Sequence, residues 1–320
     1  MKEEVSQNDF DGIIAIELEN DELVRLVTSN ADVASQYVIF QNSKDEYFAI
    51  NVAKVEELVE YRMLDIVKTS DINEMIEGTS KMRDNLVNVV HFDRWLGVNK
   101  DDGIHRLAMI CNYAGVRLAI VIKSVYGVIN IEPSEMLDDS DKDKKISYLC
   151  EIVIDRKKIL CKVFDSDRFL IDVMPSRFEK EADKIKNVSE SEKNILNKEI
   201  LIAEDSCIIQ EAITKGLMDK MNFKYQSFMN AKELLDALEY KYIDEIGLII
   251  TDLEMPVMGG LELLQRCSED DRYKNIPIIV NTNMANSSII HSAKKLGAKD
   301  VVRKLDLEIL KEVIFKYAIR

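Results

Sequence analysis

Residues 246–260 read IGLIITDLEMPVMGG, an apolar run that ends in an acid and then breaks into a Pro/Gly-rich turn opening a helix. An uninterrupted apolar run of this length, bounded by turn formers, reads as a strand buried on both faces. Strands of the same make stand on either side of it, EILIAED (199–205) and IPIIVNTN (276–283), with FKYQSFM (223–229) and KDVVRK (299–304) completing a set of five. Helical patterns separate them: CIIQEAITKGLMDKM (207–221), NAKELLDALEYK (230–241), GLELLQRCSED (260–270), Ser287 to Leu296, and LEILKEVIFKYAI (307–319). Such strand–helix alternation makes right-handed βαβ units, so residues 198–320 are expected to form a flavodoxin-like α/β domain with a five-stranded parallel sheet.

In an open α/β sheet, ligands bind outside the carboxyl ends of the strands. Four of the five strand ends there carry polar residues: Glu204 and Asp205 after the first, Asp252 after the third, Thr282 after the fourth and Lys304 after the fifth. Taken singly, each is an ordinary solvated loop residue. Together they crowd three carboxylates onto one edge, and packed carboxylates repel unless a hard cation with oxygen ligands, Mg²⁺ above all, relieves them. A carboxylate beside such a cation can act as nucleophile toward phosphorus, with Lys304 and the Thr282 hydroxyl cradling the phosphoryl oxygens.

Glu204-Asp205, Asp252 with its Met-Pro and Gly, Thr282 five residues after Pro277, and Gly297-Ala298 leading to Lys304 resemble the response-regulator receiver family. The resemblance implies that Asp252 is the phosphoacceptor and that Mg²⁺ is held by Glu204, Asp205, Asp252 and the Glu254 backbone carbonyl. It makes Thr282 the switch hydroxyl and Lys304 the phosphate-binding lysine. Three positions depart from the family: Leu305 stands where a proline usually follows the lysine, Val301 replaces the switch aromatic, and Asn283 replaces a small residue. The first makes a cis peptide after Lys304 unexpected.

The N-terminal part has another rhythm. A helical pattern over 17–27 leads into short strand-like runs, QYVIFQ, EYFAINV, NLVNVVHF, RLAMICNY, VRLAIVI, YLCEIVID and KKILCKVF, split by turn formers and charges. Many short strands and few helices predict a barrel or sandwich. YVIFQNSKDEYFAINVAKVEELVEY and GTSKMRDNLVNVVHFDRWLGV (78–98) resemble the CheW family, with Asp84, Asn88 and His91 departing from its usual Gly, Pro and Asp. That resemblance, over 36–175, implies two small five-stranded barrels sharing a core, a short helix after the Ala-Ile-x-Val segment, no catalysis, and Arg83 as a partner-binding candidate. The alternative role for Arg83 is a structural ion pair. Val38, Phe40, Ile50, Val52 and Val55 are assigned to the core, and Trp95 to packing.

Between Pro175 and Lys198 lies SRFEKEADKIKNVSESEKNILNK, too polar to bury much surface; residues 176–197 are the expected linker, and 1–35 an N-terminal helical or extended segment. A net charge of −15, most of it before Lys198, argues against nucleic acid as a partner. No apolar run approaches the ~20 residues of a membrane span, and Met1-Lys2-Glu3-Glu4-Val5 lacks a signal-peptide pattern. The five cysteines are scattered, as are the three histidines, so neither a disulfide framework nor a His/Cys metal site is expected. The expected location is the cytoplasm, at chemoreceptor arrays.

A CheW-like domain followed by a receiver is the arrangement of the CheV family. It implies an adaptor, not an enzyme, coupling chemoreceptor tips to the histidine kinase CheA, possibly alongside CheW, and regulated by phosphorylation of Asp252 or acting as a sink for it. Two other readings stay open: a scaffold whose receiver is not phosphorylated, and a Mg²⁺-dependent phosphatase with an Asp nucleophile. The phosphatase needs a second Asp two residues after the first, where this chain has Glu254.

Overall fold

The computed structural model describes residues 36–68, 74–83, 85–98, 106–113, 115–138, 145–175, 196–283 and 287–318. The expected segment 1–35 and most of the expected linker lie outside the described residues.

Twelve strands build the N-terminal domain: β1 (Gln36–Gln41), β2 (Tyr47–Asn51), β3 (Val55–Glu60), β4 (Ile66–Val67), β5 (Ile76–Met82), β6 (Asn85–His91), β7 (Leu107–Tyr113), β8 (Val116–Ile122), β9 (Ser124–Asn130), β10 (Leu137–Asp138), β11 (Ile146–Ile154) and β12 (Lys157–Phe164). They form two sheets, β10-β11-β12-β2-β1-β9 and β3-β7-β8-β6-β5-β4, each with five longer strands and one of two residues. One core takes side chains from both sheets, among them Val38, Phe40, Phe48, Ile50, Val52, Val55, Met109 and Leu118, closed by α1 (Phe92–Leu96) and α2 (Ser166–Val173). This is the expected pair of barrels, and all five predicted core residues lie in it. Trp95 packs there too, and its Nε1–H donates to Asp172 Oδ2 at 3.0 Å.

The expected short helix is one 3₁₀ turn, Val52–Lys54, after which the chain is extended as β3. Val55, Leu58 and Val59 stand at helical spacing, but the segment pairs along β7 and this tertiary pairing overrides the local pattern. Strands β5 and β9 and helix α2 are not among the expected elements; for the two strands tertiary packing decides.

In the C-terminal domain, β13 (Glu199–Ala203), β14 (Tyr225–Phe228), β15 (Ile246–Thr251), β16 (Ile278–Asn281) and β17 (Asp300–Val302) form a parallel sheet in the order β14-β13-β15-β16-β17. Helices α4 (Ala231–Leu238), α5 (Gly260–Glu269) and α6 (Ser287–Lys295) cover one face. The other face is covered by α3 (Cys207–Ile213), which runs on through a π-helical stretch to Met221, and by α7 (Leu307–Tyr317). The residues of β15 are buried on both sides, as their apolar run requires.

The two domains meet at the carboxyl edge of this sheet. Ala53 packs against one receiver core cluster and Ile171 of α2 against the other. The Val257 N–H donates to the Pro133 carbonyl at 2.8 Å.

Candidate functional site

Parallel pairing of Ala203 with Thr251 brings the residues that follow β13 and β15 to one edge. Glu204, Asp205 and Asp252 gather there, each with a carboxylate oxygen within 4.8 Å of the others. Lys304, two residues past β17, places its Nζ 2.8 Å from Asp252 Oδ2 and 2.8 Å from Glu204 Oε1. The lysine side chain is 2% exposed, so these contacts form in a poorly screened setting. Asp252 Oδ1 accepts from the Leu253 N–H at 2.6 Å, which leaves Oδ2 toward the lysine. Gly260 permits this turn: a Cβ there would stand 2.0 Å from the Asp252 carbonyl oxygen.

Burial and the neighbouring carboxylates push Glu204 well above the usual range against the pull of Lys304, and raise Asp205 to about 7. Burial opposes the charge on Lys304, but the acids around it outweigh that and raise its pKa well above the ordinary value. The donor set fits a small hard cation. It is all carboxylate oxygen, and Glu204 Oε2 is buried with no hydrogen-bond partner. Glu204, Asp205 and Asp252 would hold such an ion.

Thr282 is buried beside the site at the end of β16, its N–H bonded to the Val302 carbonyl at 2.9 Å. The Lys304–Leu305 peptide is not cis, in keeping with the missing proline. The Glu254 side chain forms an ion pair with Lys54 of the other domain.

The CheW-like domain family matches residues 36–173, and the response regulator receiver domain family matches residues 200–314. Two curated relatives share both parts. Chemotaxis protein CheV1 of Helicobacter pylori (strain ATCC 700392 / 26695) is 26% identical over 304 residues, 88% of this chain and 92% of the relative. Chemotaxis protein CheV2 of the same strain is 26% identical over 292 residues, 85% of this chain and 90% of the relative. This is a CheV-type protein. A solved scaffolding protein, CheW of Thermoanaerobacter tengcongensis, is 19% identical, covers 40% of this chain and 88% of its own, and gives a TM-score of 0.34.

In this CheV-type chain the coupling domain supplies side chains to the receiver's site that sequence reasoning did not single out. The 3₁₀ turn is capped by Asn51, whose side chain accepts from the Ala53 N–H at 2.8 Å, and it delivers Lys54. Helix α2 is capped by Asp165, which accepts from the Asp167 and Arg168 N–H groups at 3.0 and 2.8 Å, and its first turn delivers Asp167. Asp167 Oδ2 lies 2.7 Å from Lys304 Nζ, and its Oδ1 accepts from Asn283 Nδ2 at 2.7 Å. Burial works against the charge on Asp167, but Lys304, Lys54 and Asn283 hold its pKa below the usual carboxylate value. The Tyr148 hydroxyl donates to Asp205 Oδ2, and the Ser206 hydroxyl to Asp165 Oδ2 at 3.3 Å. A signal for α2 was present: Asp165-Ser166-Asp167 followed by Phe169, Leu170 and Val173 is a capped helix start. Nothing local says that this helix faces the receiver.

Arg83 of this CheV-type protein lies far from the acidic cluster in role as well as in domain: its side chain is 79% exposed, and Nη2 is 2.7 Å from Glu57 Oε2. The ion pair leaves most of the guanidinium open to a partner. All five cysteines are free; four are buried and Cys207 is exposed. Among the described residues, no helix is long and apolar enough to cross a membrane.

Proposed function

We propose that this CheV-type protein couples chemoreceptors to a CheA-class histidine kinase through its N-terminal domain, and that its receiver takes up a phosphoryl group on Asp252. The observation that carries the phosphorylation reading is Lys304 Nζ lying 2.8 Å from Asp252 Oδ2 at the edge of a three-carboxylate cluster. In the transfer, an Asp252 carboxylate oxygen attacks phosphorus and an O–P bond forms. The P–N bond of the kinase phosphohistidine breaks, its electron pair stays on the imidazole nitrogen, and that nitrogen is protonated from solvent. Bound Mg²⁺ would supply charge neutralisation between the acids and the incoming phosphoryl oxygens.

In this reading Lys304 holds one phosphoryl oxygen and the Thr282 hydroxyl another. Relatives named as chemotaxis proteins over most of both lengths support the coupling role. Arg83, exposed beside Glu57, is the proposed contact for a receptor or kinase. The chain then acts as an adaptor at receptor arrays, with Asp252 turned over only on itself. The domain division proposed is 36–175 for coupling and 198–320 for the receiver.

The test is phosphotransfer from purified phosphorylated CheA in Mg²⁺. Label is expected on wild type and absent from Asp252→Asn, while receptor and kinase pull-down is unchanged in both. Equal labelling of the two proteins would remove Asp252 from the role. Steady release of phosphate from unrelated phosphoesters would favour the phosphatase reading instead.

A further inference from the structure

We propose that Asp167 of the coupling domain occupies the phosphoryl-binding position of the receiver, and that phosphorylation of Asp252 expels it and parts the two domains at this seam. The inference rests on the receiver reading given above and adds its regulation.

A lysine ammonium has three N–H donors. Three carboxylate oxygens already crowd that of Lys304: it donates hydrogen bonds to Glu204 Oε1 at 2.8 Å and Asp167 Oδ2 at 2.7 Å, and Asp252 Oδ2 forms an ion pair with it at 2.8 Å. A phosphoryl oxygen that binds Lys304 must therefore displace one of them. Asp252 is the residue that carries the phosphoryl group, and Glu204 belongs to the same domain and sits on the turn directly after β13. Asp167 is the acceptor contributed by the other domain. Its second oxygen is held by Asn283, the residue directly after Thr282. A carboxylate that bridges the lysine and the Thr282–Asn283 turn presents two anionic oxygens to groups placed to hold phosphoryl oxygens. The unusual Asn283 thereby gains a role: its amide N–H is the donor that a small residue in that position could not offer.

Charge and space act in the same direction. Asp165, Asp167, Glu204, Asp205, Asp252 and Glu254 line the seam against Lys54 and Lys304. Placing a phosphoryl dianion beside Asp167 sets like charges within a few ångströms at low dielectric, a cost that separation of the domains relieves. The space lined by Lys54, Asp167, Asp252 and Glu254 is about 40 Å³. That is room for about one water and not for a phosphohistidine. Helix α2 is anchored by Phe169, Leu170 and Val173 in the coupling-domain core, so Asp167 does not retreat with its helix unless the domain moves. Among the described residues the remaining polar ties across the seam are Lys54 to Glu254, Tyr148 to Asp205, Ser206 to Asp165 and the Val257 N–H to Pro133, and Ala53 and Ile171 add apolar contacts. A closed state of this kind lowers apparent affinity for whatever needs the open one, by the fraction of open molecules.

The test uses the full chain, with Asp167→Asn, which keeps the shape and removes the charge, and Asn283→Ala, which removes the second tie to the Asp167 carboxylate. Labelling of Asp252 by acetyl phosphate in Mg²⁺ is followed by intact mass. Hydrogen exchange over residues 146–150 and 165–170 is read with and without beryllofluoride and Mg²⁺. Asp167→Asn is expected to label about tenfold faster than wild type, and Asn283→Ala to shift the same way by a smaller factor. Beryllofluoride is expected to raise exchange in both segments of wild type, to the level that Asp167→Asn shows without it. Labelling of wild type and Asp167→Asn at equal rates, with exchange at the seam unmoved by beryllofluoride, would overturn this inference and leave the receiver reading standing. Failure of every one of these proteins to label would overturn both.

Discussion

Lys54 of the coupling domain and Glu254 of the receiver form an ion pair across the domain seam, with side chains only 8% and 18% exposed. Lys54 also donates to Ser166 Oγ at 2.7 Å, so one ammonium ties the 3₁₀ turn, α2 and the receiver together. Burial alone would lower its pKa; Glu254 and Asp167 overcome this and raise it to about 12. A cation whose folded pKa is raised gives stability that is fully present below its unfolded value and is lost as pH rises through the folded one. At neutral pH the Lys54 contribution is therefore present in full, while burial raises the Glu254 carboxyl above its ordinary value and offsets part of it.

Removing one member strands the other. Glu254→Ala leaves a buried ammonium short of its partner and should cost about 3 kcal/mol. Lys54→Ala should cost a similar amount, and the double variant should fall short of the sum by about 1–2 kcal/mol, because both single changes destroy the same contact. Thermal melts of the four proteins of the cycle measure this. Strict additivity would mean that the pair does not hold the seam.

Val257 adopts φ +63°, a left-handed conformation that a β-branched residue takes only under constraint. It lies in the turn after Asp252, half exposed, and its N–H is the donor to Pro133. Val257→Gly should remove strain of about 1 kcal/mol and raise the receiver's melting temperature by about 2–4 °C. A fall in melting temperature would show that the side chain, and not the backbone, is what this position uses.

The receiver was legible because its strands are buried on both faces and so read as uninterrupted apolar runs, and because polar residues stand where each run stops. ILIA, GLIIT and IIVN could hardly be anything else, and Glu204, Asp205, Asp252, Thr282 and Lys304 mark their ends. Strand β3 was less legible: Val55-Glu56-Glu57-Leu58-Val59-Glu60 is mostly half-buried, so its pattern alternates poorly. The seam was not legible at all. Lys54, Tyr148 and Asp167 sit in three different elements about 20 to 100 residues apart, and what joins them is the docking of two domains, which leaves no periodicity in the chain.

His91 stands where the CheW family usually has aspartate, and it is buried with its Nε2 2.7 Å from Glu77 Oε2. The Tyr61 hydroxyl donates to the same oxygen at 2.6 Å. Burial works to raise the Glu77 pKa, but these two bonds and the charges of His91 and Arg94 hold it below the usual value. An acid whose folded pKa is depressed gives stability that is present above its unfolded value near 4.5 and is lost as pH falls through the lower folded value. Glu77→Gln should therefore be about 1 kcal/mol less stable at pH 7, and should lose less than wild type on acidification. Melting temperatures between pH 7 and pH 3 that run parallel for the two proteins would contradict this.

Among the described residues Lys304 is the one lysine that touches Glu204, Asp252 and Asp167 together, and it neutralises Glu204, which burial and the neighbouring carboxylates press toward protonation. Lys304→Ala should destabilise the receiver by on the order of 3 kcal/mol, the cost of an uncompensated buried cluster, and lower its melting temperature accordingly. The same carboxylates are the cluster that fits a divalent cation, so millimolar Mg²⁺ should recover more of the melting temperature in Lys304→Ala than it adds to wild type. Adding Asp205→Asn should blunt that recovery, since it removes one of the three charged donors. If Mg²⁺ raised the melting temperatures of wild type, Lys304→Ala and the double variant equally, the ion would be acting elsewhere on an acidic surface and not among Glu204, Asp205 and Asp252.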